Sequence, residues 1–395
     1  MTSGPNSGTR ASVFGRAPVL ALGFRLFYLI AGAYAALSVG VWSLQFAGWL
    51  PGAPLVQGPL WHAHEMLFGY TFAVIAGFLF TAVRNWTQQA TPTGAPLAAL
   101  GALWIAGRVL SFTPWRAWSA VTDALFAVGI AVGIARPLIA SGNRRNYFFI
   151  AVVLAIGAAN LAFYAGIAGW SEYSPQRALW LAADVVLFVI SVVAGRVVPM
   201  FTNNAVQGAG ARRMQVVEYA SLGAIIALAL ADLDGAVVFA GVIAAFAALA
   251  HGVRLALWSP LATRRTPLLW ILHVSYAWLV AHLALRALAG FGYVSPTVAM
   301  HALTVGAIGG MTLGMMTRSA LGHSGRALAA GRAESSAYVL IQLAAVARVL
   351  VPLLLPAAYL EAIVAAGAMW FAAFAVFTVA YWPILTRPRS DGRPG

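Results

Sequence analysis

The sequence predicts an all-α, polytopic integral membrane protein of about twelve transmembrane helices with both termini in the cytoplasm. Three observations carry that reading. Of 395 residues, 62% are hydrophobic and only 9% are charged, and the mean hydropathy is +0.84. Soluble domains run at roughly 45–50% apolar and about 25% charged. Apolar runs of about 20 residues, the length that crosses a bilayer, recur along the whole chain. Finally, the arginines fall on alternate connections, as the positive-inside rule requires.

The elements follow in order. A polar, small-residue stretch over 1–18 with two arginines precedes an apolar run from Val19 to Leu50, too long for a signal-peptide core, so the first span (22–46) is read as uncleaved. The second span, 61–83, is announced by Pro59 and Trp61, a proline for the first helical turn and a tryptophan for the interfacial belt. Further spans are expected at 96–112, 117–136, 147–169, 178–199, 215–231, 235–254, 267–289, 296–317, 336–355 and 358–384. The third and seventh are short and the last is long. Many are interrupted by Gly or Pro, which membrane helices tolerate because neighbours re-satisfy freed backbone groups. The loops are short, so the chain reads as one transmembrane domain over 1–395, with polar tails at about 1–18 and 386–395. No internal six-plus-six repeat is apparent.

With the N-terminus inside, 19 of the 24 arginines fall on cytoplasmic connections, from Arg10, Arg16 and Arg25 through to Arg387, Arg389 and Arg393. Arg108, Arg116, Arg177, Arg286 and Arg348 fall on the outer half or within a span. The net charge is +14, without a single lysine. A pI near 11 invites a nucleic-acid reading, but arginines placed singly or in twos between apolar runs suit anionic lipid instead. The absence of Cys removes disulfides, thiolate metal sites and covalently attached haem, leaving His, Met, carboxylate or backbone for any metal.

Polar residues inside spans are costly and mark candidate sites. The densest segment is Trp61-His62-Ala63-His64-Glu65-Met66. Two residues apart on an α-helix is about 200° of rotation, so His62 and His64 face opposite sides and suit two different centres. Glu65, three residues from His62, shares its face and is expected to ligate or orient it. His301 opens the tenth span at a similar depth on a parallel helix, where it can face the second span across a cofactor. The glycines and methionines that follow it read first as close packing. The ninth span carries His273, Tyr276, His282 and Arg286; Arg286 can pair haem propionates or snorkel to the outer surface. His251 reads as structural. Asp123 and Asp184 call for partners, with Arg108 and Arg348 as candidates, and the outer cluster suits either a proton path or plain ion pairs. The turn around His323 reads as solvated.

Several segments resemble the NnrS family. Trp61-His62-Ala63-His64-Glu65-Met66-Leu67-Phe68-Gly69-Tyr70 is the most specific. Phe24-Arg25-Leu26-Phe27, Val198-Pro199-Met200-Phe201-Thr202-Asn203-Asn204, Leu272-His273-Val274-Ser275-Tyr276-Ala277-Trp278, His301-Ala302-Leu303 and Thr317 to Arg326 join it in order. The resemblance implies a bacterial inner-membrane protein containing haem, expected as b-type, and copper, and linked to nitric oxide metabolism and tolerance of nitrosative stress. It places His62, His64, His273, His301 and His323 on the family's recurring histidines and raises His323 above its local reading.

The leading expectation is therefore a haem–copper membrane protein handling nitric oxide or its products. Expected cofactor ligands are His62, His64, His301 and His273, with Arg286 on the haem; expected metal contacts are His62, His64, His301, Glu65 and His323. If it is an enzyme, it is a haem–copper oxidoreductase. Expected partners are membrane lipid, nitric oxide or a related small molecule and an unidentified redox partner, with no nucleic acid. The alternative is a twelve-helix secondary transporter with proton- or substrate-coupled histidines and no cofactor; a scaffold for a neighbouring reductase is the third reading.

Overall fold

The computed structural model describes residues 17–51 and 58–393. The expected N-terminal tail, with Arg10 and Arg16, lies outside the described residues except for its last two positions. No strand occurs among the described residues, and twelve long helices carry the fold. They are α1 Gly23–Phe46, α2 Pro59–Thr87, α3 Gly94–Leu110, α4 Arg116–Ala140, α5 Phe148–Ile167 and α6 Pro175–Ala205. The second half continues with α7 Gln215–Asp234, α8 Val237–Leu257, α9 Pro267–Gly290, α10 Pro296–His323, α11 Arg332–Leu354 and α12 Tyr359–Thr386. Eleven are long and apolar enough to cross a membrane, and α3, at 17 residues, is the shorter one. The expected twelve-helix membrane fold is thus borne out, with boundaries shifted by a few residues.

Local sequence explains where the helices begin. Proline occupies the first turn of α2, α6, α9 and α10, where its missing N–H costs nothing. Ser174 and Ser295 cap α6 and α10 by accepting from the backbone N–H of Arg177 and Thr297. Gly235, at φ +77°, ends α7 in the left-handed region and lets the chain reverse directly into α8.

Burial separates centre from rim. In α2, 94% of the apolar window lies inside the molecule, against 33% for α7 and 39% for α8. So α2 is the central helix, surrounded by protein, while α7 and α8 turn apolar side chains such as Leu230, Phe246 and Leu249 outward, as a lipid-facing rim does. Successive helices pack antiparallel, and α12 closes the bundle against α1 and α11. Arg25 at the start of α1 donates to the carbonyls of Ile384, Leu385 and Arg387 at the end of α12. Both ends of the described chain therefore meet at one end of the bundle, the terminal end; α2 and α10 start at the opposite, distal end.

Candidate functional site

The helices α2 and α10 share a design at their distal ends. Each starts with a proline and carries a histidine at the fifth position after it, His64 and His301. Each then widens into a π-helical stretch, Glu65–Thr71 in α2 and Ala302–Gly309 in α10. In the first stretch the Thr71 hydroxyl donates to the Met66 carbonyl at 2.7 Å, tying together residues five apart. π-Turns are uncommon and concentrate at functional sites. The sequence pattern does not betray them, because one extra residue per turn leaves an all-apolar run looking unchanged.

Between these helices the distal end holds a cavity of about 450 Å³, within the size range of small-molecule sites. His62, His301, Arg348, Tyr359 and Gln176 supply its polar walls; Trp42, Phe46, Met66, Trp180, Met300 and Trp370 are among the apolar ones. The structure thus brings His62 and His301 into one chamber. His301 Nδ1 lies 2.7 Å from the Thr297 carbonyl, so Nδ1 carries the proton and Nε2 keeps its lone pair. His62 makes no side-chain hydrogen bond among the described residues, and its buried Nδ1 has no partner. Its ring stacks on Trp42 with centroids 5.1 Å apart and planes 13° from parallel. Arg348 lines the same chamber as both rings.

His64 faces the other way, into a buried polar network. Its Nδ1 is 2.9 Å from Glu65 Oε1 and its Nε2 2.9 Å from Asn160 Oδ1. Arg108 bridges Glu65, at 2.8 Å, and Asp123. Asp123 also accepts from Asn160 at 3.1 Å and from Tyr164 at 3.3 Å, and Tyr34 donates to Glu65. The two histidines therefore meet different surroundings, His62 the cavity and His64 the network. Glu65 departs from expectation, because it serves His64 and Arg108 and makes no hydrogen bond to His62. Its carboxylate is taken up by Tyr34, His64 and Arg108.

The remaining candidates lie apart from the cavity. Arg286 is held by Asp184 at 2.7 Å and by Asp232, and it stacks over Trp180; the guanidinium expected at propionates is committed to two carboxylates. His282 donates through Nδ1 to the Ala299 carbonyl at 2.7 Å, and its buried Nε2 has no partner. His273 meets Thr202 through Nε2 at 2.9 Å. Since Thr202 Oγ1 donates to the Val198 carbonyl, His273 Nε2 donates and Nδ1 is left without a partner. His251 is bound on both sides, to Tyr276 Oη at 2.6 Å and the Ser221 carbonyl at 3.2 Å, as a structural histidine. His323 sits at the terminal end, half-buried beside Phe24, its ring centroid 5.6 Å away, the length of the bundle from His301.

Sequence reasoning overlooked the cavity roles of Trp42, Arg348 and Tyr359 and the network roles of Tyr34, Asn160 and Tyr164. Arg348 carried a usable signal: it lies within an apolar span with no carboxylate inside two helical turns on either side.

Across residues 18–389 the chain matches the family described as NnrS protein. It belongs to the NnrS family. No curated protein gives a significant match. The matched stretch of this NnrS-family chain takes in all twelve helices, both π-helical stretches and every wall of the distal cavity.

Proposed function

We propose that this chain is a haem-binding protein of the bacterial inner membrane that handles nitric oxide, with the haem in the distal cavity. The observation that carries the reading is the pairing of His62 and His301 on one chamber, neither ring saturated by protein partners. Family membership supports it.

The residues fit haem. His301 and His62 are the imidazoles that would hold the iron, and the tryptophans supply apolar walls for a flat macrocycle. When bound, haem would supply an iron centre able to take nitric oxide. The chain's own residues prepare the site. The Thr297 carbonyl fixes the His301 tautomer, a role that outer partners of metal-bound histidines commonly play. Trp42 sets the plane of the His62 ring. Trp180, Trp370 and Phe46 exclude water, which strengthens every electrostatic contact inside.

Copper fits less well. Among the described residues no three His, Asp or Glu side chains gather as a metal site, and both nitrogens of His64 are engaged. A copper centre at His64 requires the Asn160 contact to open.

The test is direct. Protein purified after expression with haem supplied should show a Soret band at about one haem per chain, and the band should shift on addition of nitric oxide. A colourless preparation would overturn the reading and favour the secondary transporter, which twelve apolar helices also suit.

A further inference from the structure

Arg348 projects from α11 into the cavity with only 8% of its surface exposed. Among the described residues no carboxylate lies within ion-pair distance of it, and its Nη1 has no hydrogen-bond partner. Its aromatic neighbour is Tyr359, whose ring centroid is 5.8 Å from the guanidinium carbon. The other buried arginines at this end are each held by two carboxylates, Arg108 by Glu65 and Asp123, Arg286 by Asp184 and Asp232. A buried charge without a counter-charge is costly, and the fold supplies none here. The missing partner belongs to whatever fills the chamber.

Chemistry narrows that partner. Arginine stays protonated in proteins and offers a planar fork of N–H donors, which matches the two oxygens of a carboxylate. The chamber is otherwise apolar apart from two imidazoles, Tyr359 and a few uncharged polar groups, so an anionic group entering it has one cation to meet. Arg286, the arginine that sequence favoured for this task, has no free face to offer.

We infer that Arg348 binds a carboxylate of the molecule that occupies the cavity. This rests on the haem reading when the carboxylate is a propionate of the macrocycle; a free small carboxylate offers the same chemistry. Arg348 is then a binding residue that sets the orientation of the occupant, with its carboxylate edge towards α11.

Two arms test this on the full-length chain. In the first, release of haem and of haem dimethyl ester to an apo-haem acceptor protein is timed for wild type, Arg348→Gln and Arg348→Lys. Wild type should release the ester about tenfold faster or more, as loss of a charge-assisted hydrogen bond implies. Arg348→Gln should release both forms alike, and Arg348→Lys should keep part of the preference. In the second arm, acetate is titrated into the haem-free protein while tryptophan fluorescence is followed; a response in wild type that Arg348→Gln lacks identifies a free carboxylate as the source. The inference is overturned if wild type shows neither the ester preference nor the acetate response, or if Arg348→Gln shows either at wild-type strength. The wild-type comparisons need no variant to fold. Should neither form of haem bind, the haem reading fails by itself, and the acetate arm still decides the role of Arg348.

Discussion

His64 Nε2 lies 2.9 Å from Asn160 Oδ1, a contact that divides the labour of the two neighbouring histidines. With Glu65 on the other nitrogen, both nitrogens of His64 are engaged by protein oxygens, and neither is open to a metal while those contacts last. His62, two residues earlier, has no such partners and opens onto the cavity. Replacing either His62 or His301 by Ala should therefore lower haem affinity by at least about tenfold, the scale on which metal sites respond to loss of their supports. His64→Ala should keep its haem and lose about 1–3 kcal/mol of stability through unsatisfied Glu65 and Asn160. Soret absorbance per chain and thermal unfolding in detergent separate the two outcomes; haem loss only in His64→Ala would invert the assignment.

Arg108 is the hub of the second cluster. Its removal strands the carboxylates of Glu65 and Asp123 in the interior, where breaking a buried pair costs about 3–5 kcal/mol. Arg108→Met should accordingly be among the most destabilising single changes. Adding Glu65→Gln and Asp123→Asn to it should recover much of the loss, since stranded charge rather than lost attraction is the main cost. A thermal-unfolding cycle measures this, and additive losses in the triple variant would contradict it.

Packing under the cavity depends on Gly309. A Cβ there would stand 2.5 Å from Trp370 Cζ3 and 3.0 Å from its Cη2. Gly309→Ala should cost about 1–3 kcal/mol as an overpacked contact, and Trp370, a wall of the cavity, should shift and weaken haem retention. The control is Gly223→Ala on the rim helix α7, where a Cβ meets nothing within 4 Å; helix propensity alone should make it neutral or more stable, by up to about 1 kcal/mol.

Arg389 and Ser390 tie the C-terminal segment to the terminal end of the bundle, and Asp391 holds Arg389 in place. Arg389 donates to both Asp391 oxygens, at 2.9 and 2.6 Å, and also to the His323 carbonyl at 2.8 Å, while the Ser390 N–H donates to the Ser324 carbonyl at 3.0 Å. The Arg389 hydrogen bonds hold the Asp391 carboxyl well below its ordinary value of 3.8. A depressed carboxyl stabilises the folded contact fully above the ordinary value and loses that contribution as pH falls through the folded value. Exchange protection of the Ser390 amide, compared with intrinsic rates at each pH, should hold at neutral pH and decline below about pH 3.8. In Asp391→Asn the protection should be reduced at every pH; protection that never declines on acidification would count against this linkage.

By the positive-inside rule the arginine distribution leads us to expect the terminal end on the cytoplasmic side. A fluorescent reporter that folds only in the cytoplasm should glow when fused after Arg393, and alkaline phosphatase inserted at Tyr293, between α9 and α10, should be active outside. The opposite pattern would invert the placement of the cavity.

Hydropathy is a property of each run of about twenty residues taken alone, and so the twelve helices were legible without their neighbours. The same holds for the 200° angle between His62 and His64, which one helix dictates by itself. The π-helical turn at Glu65 was hidden because an apolar run reads alike at either pitch, and the pairing of Glu65 with His62 failed because Arg108, Tyr34 and His64 take up its carboxylate. Tertiary structure alone decided the site. Only helix packing could set His62 of α2 beside His301 of α10 and Arg348 of α11. Packing also saturated Arg286 with Asp184 and Asp232 and left Arg348 without a counter-charge, because which arginine finds a carboxylate depends on helices remote in sequence. The sequence determined how the chain meets the bilayer, since burial in lipid is local chemistry. The arrangement of groups that meets a ligand is a relation between helices, and it existed only once they had packed.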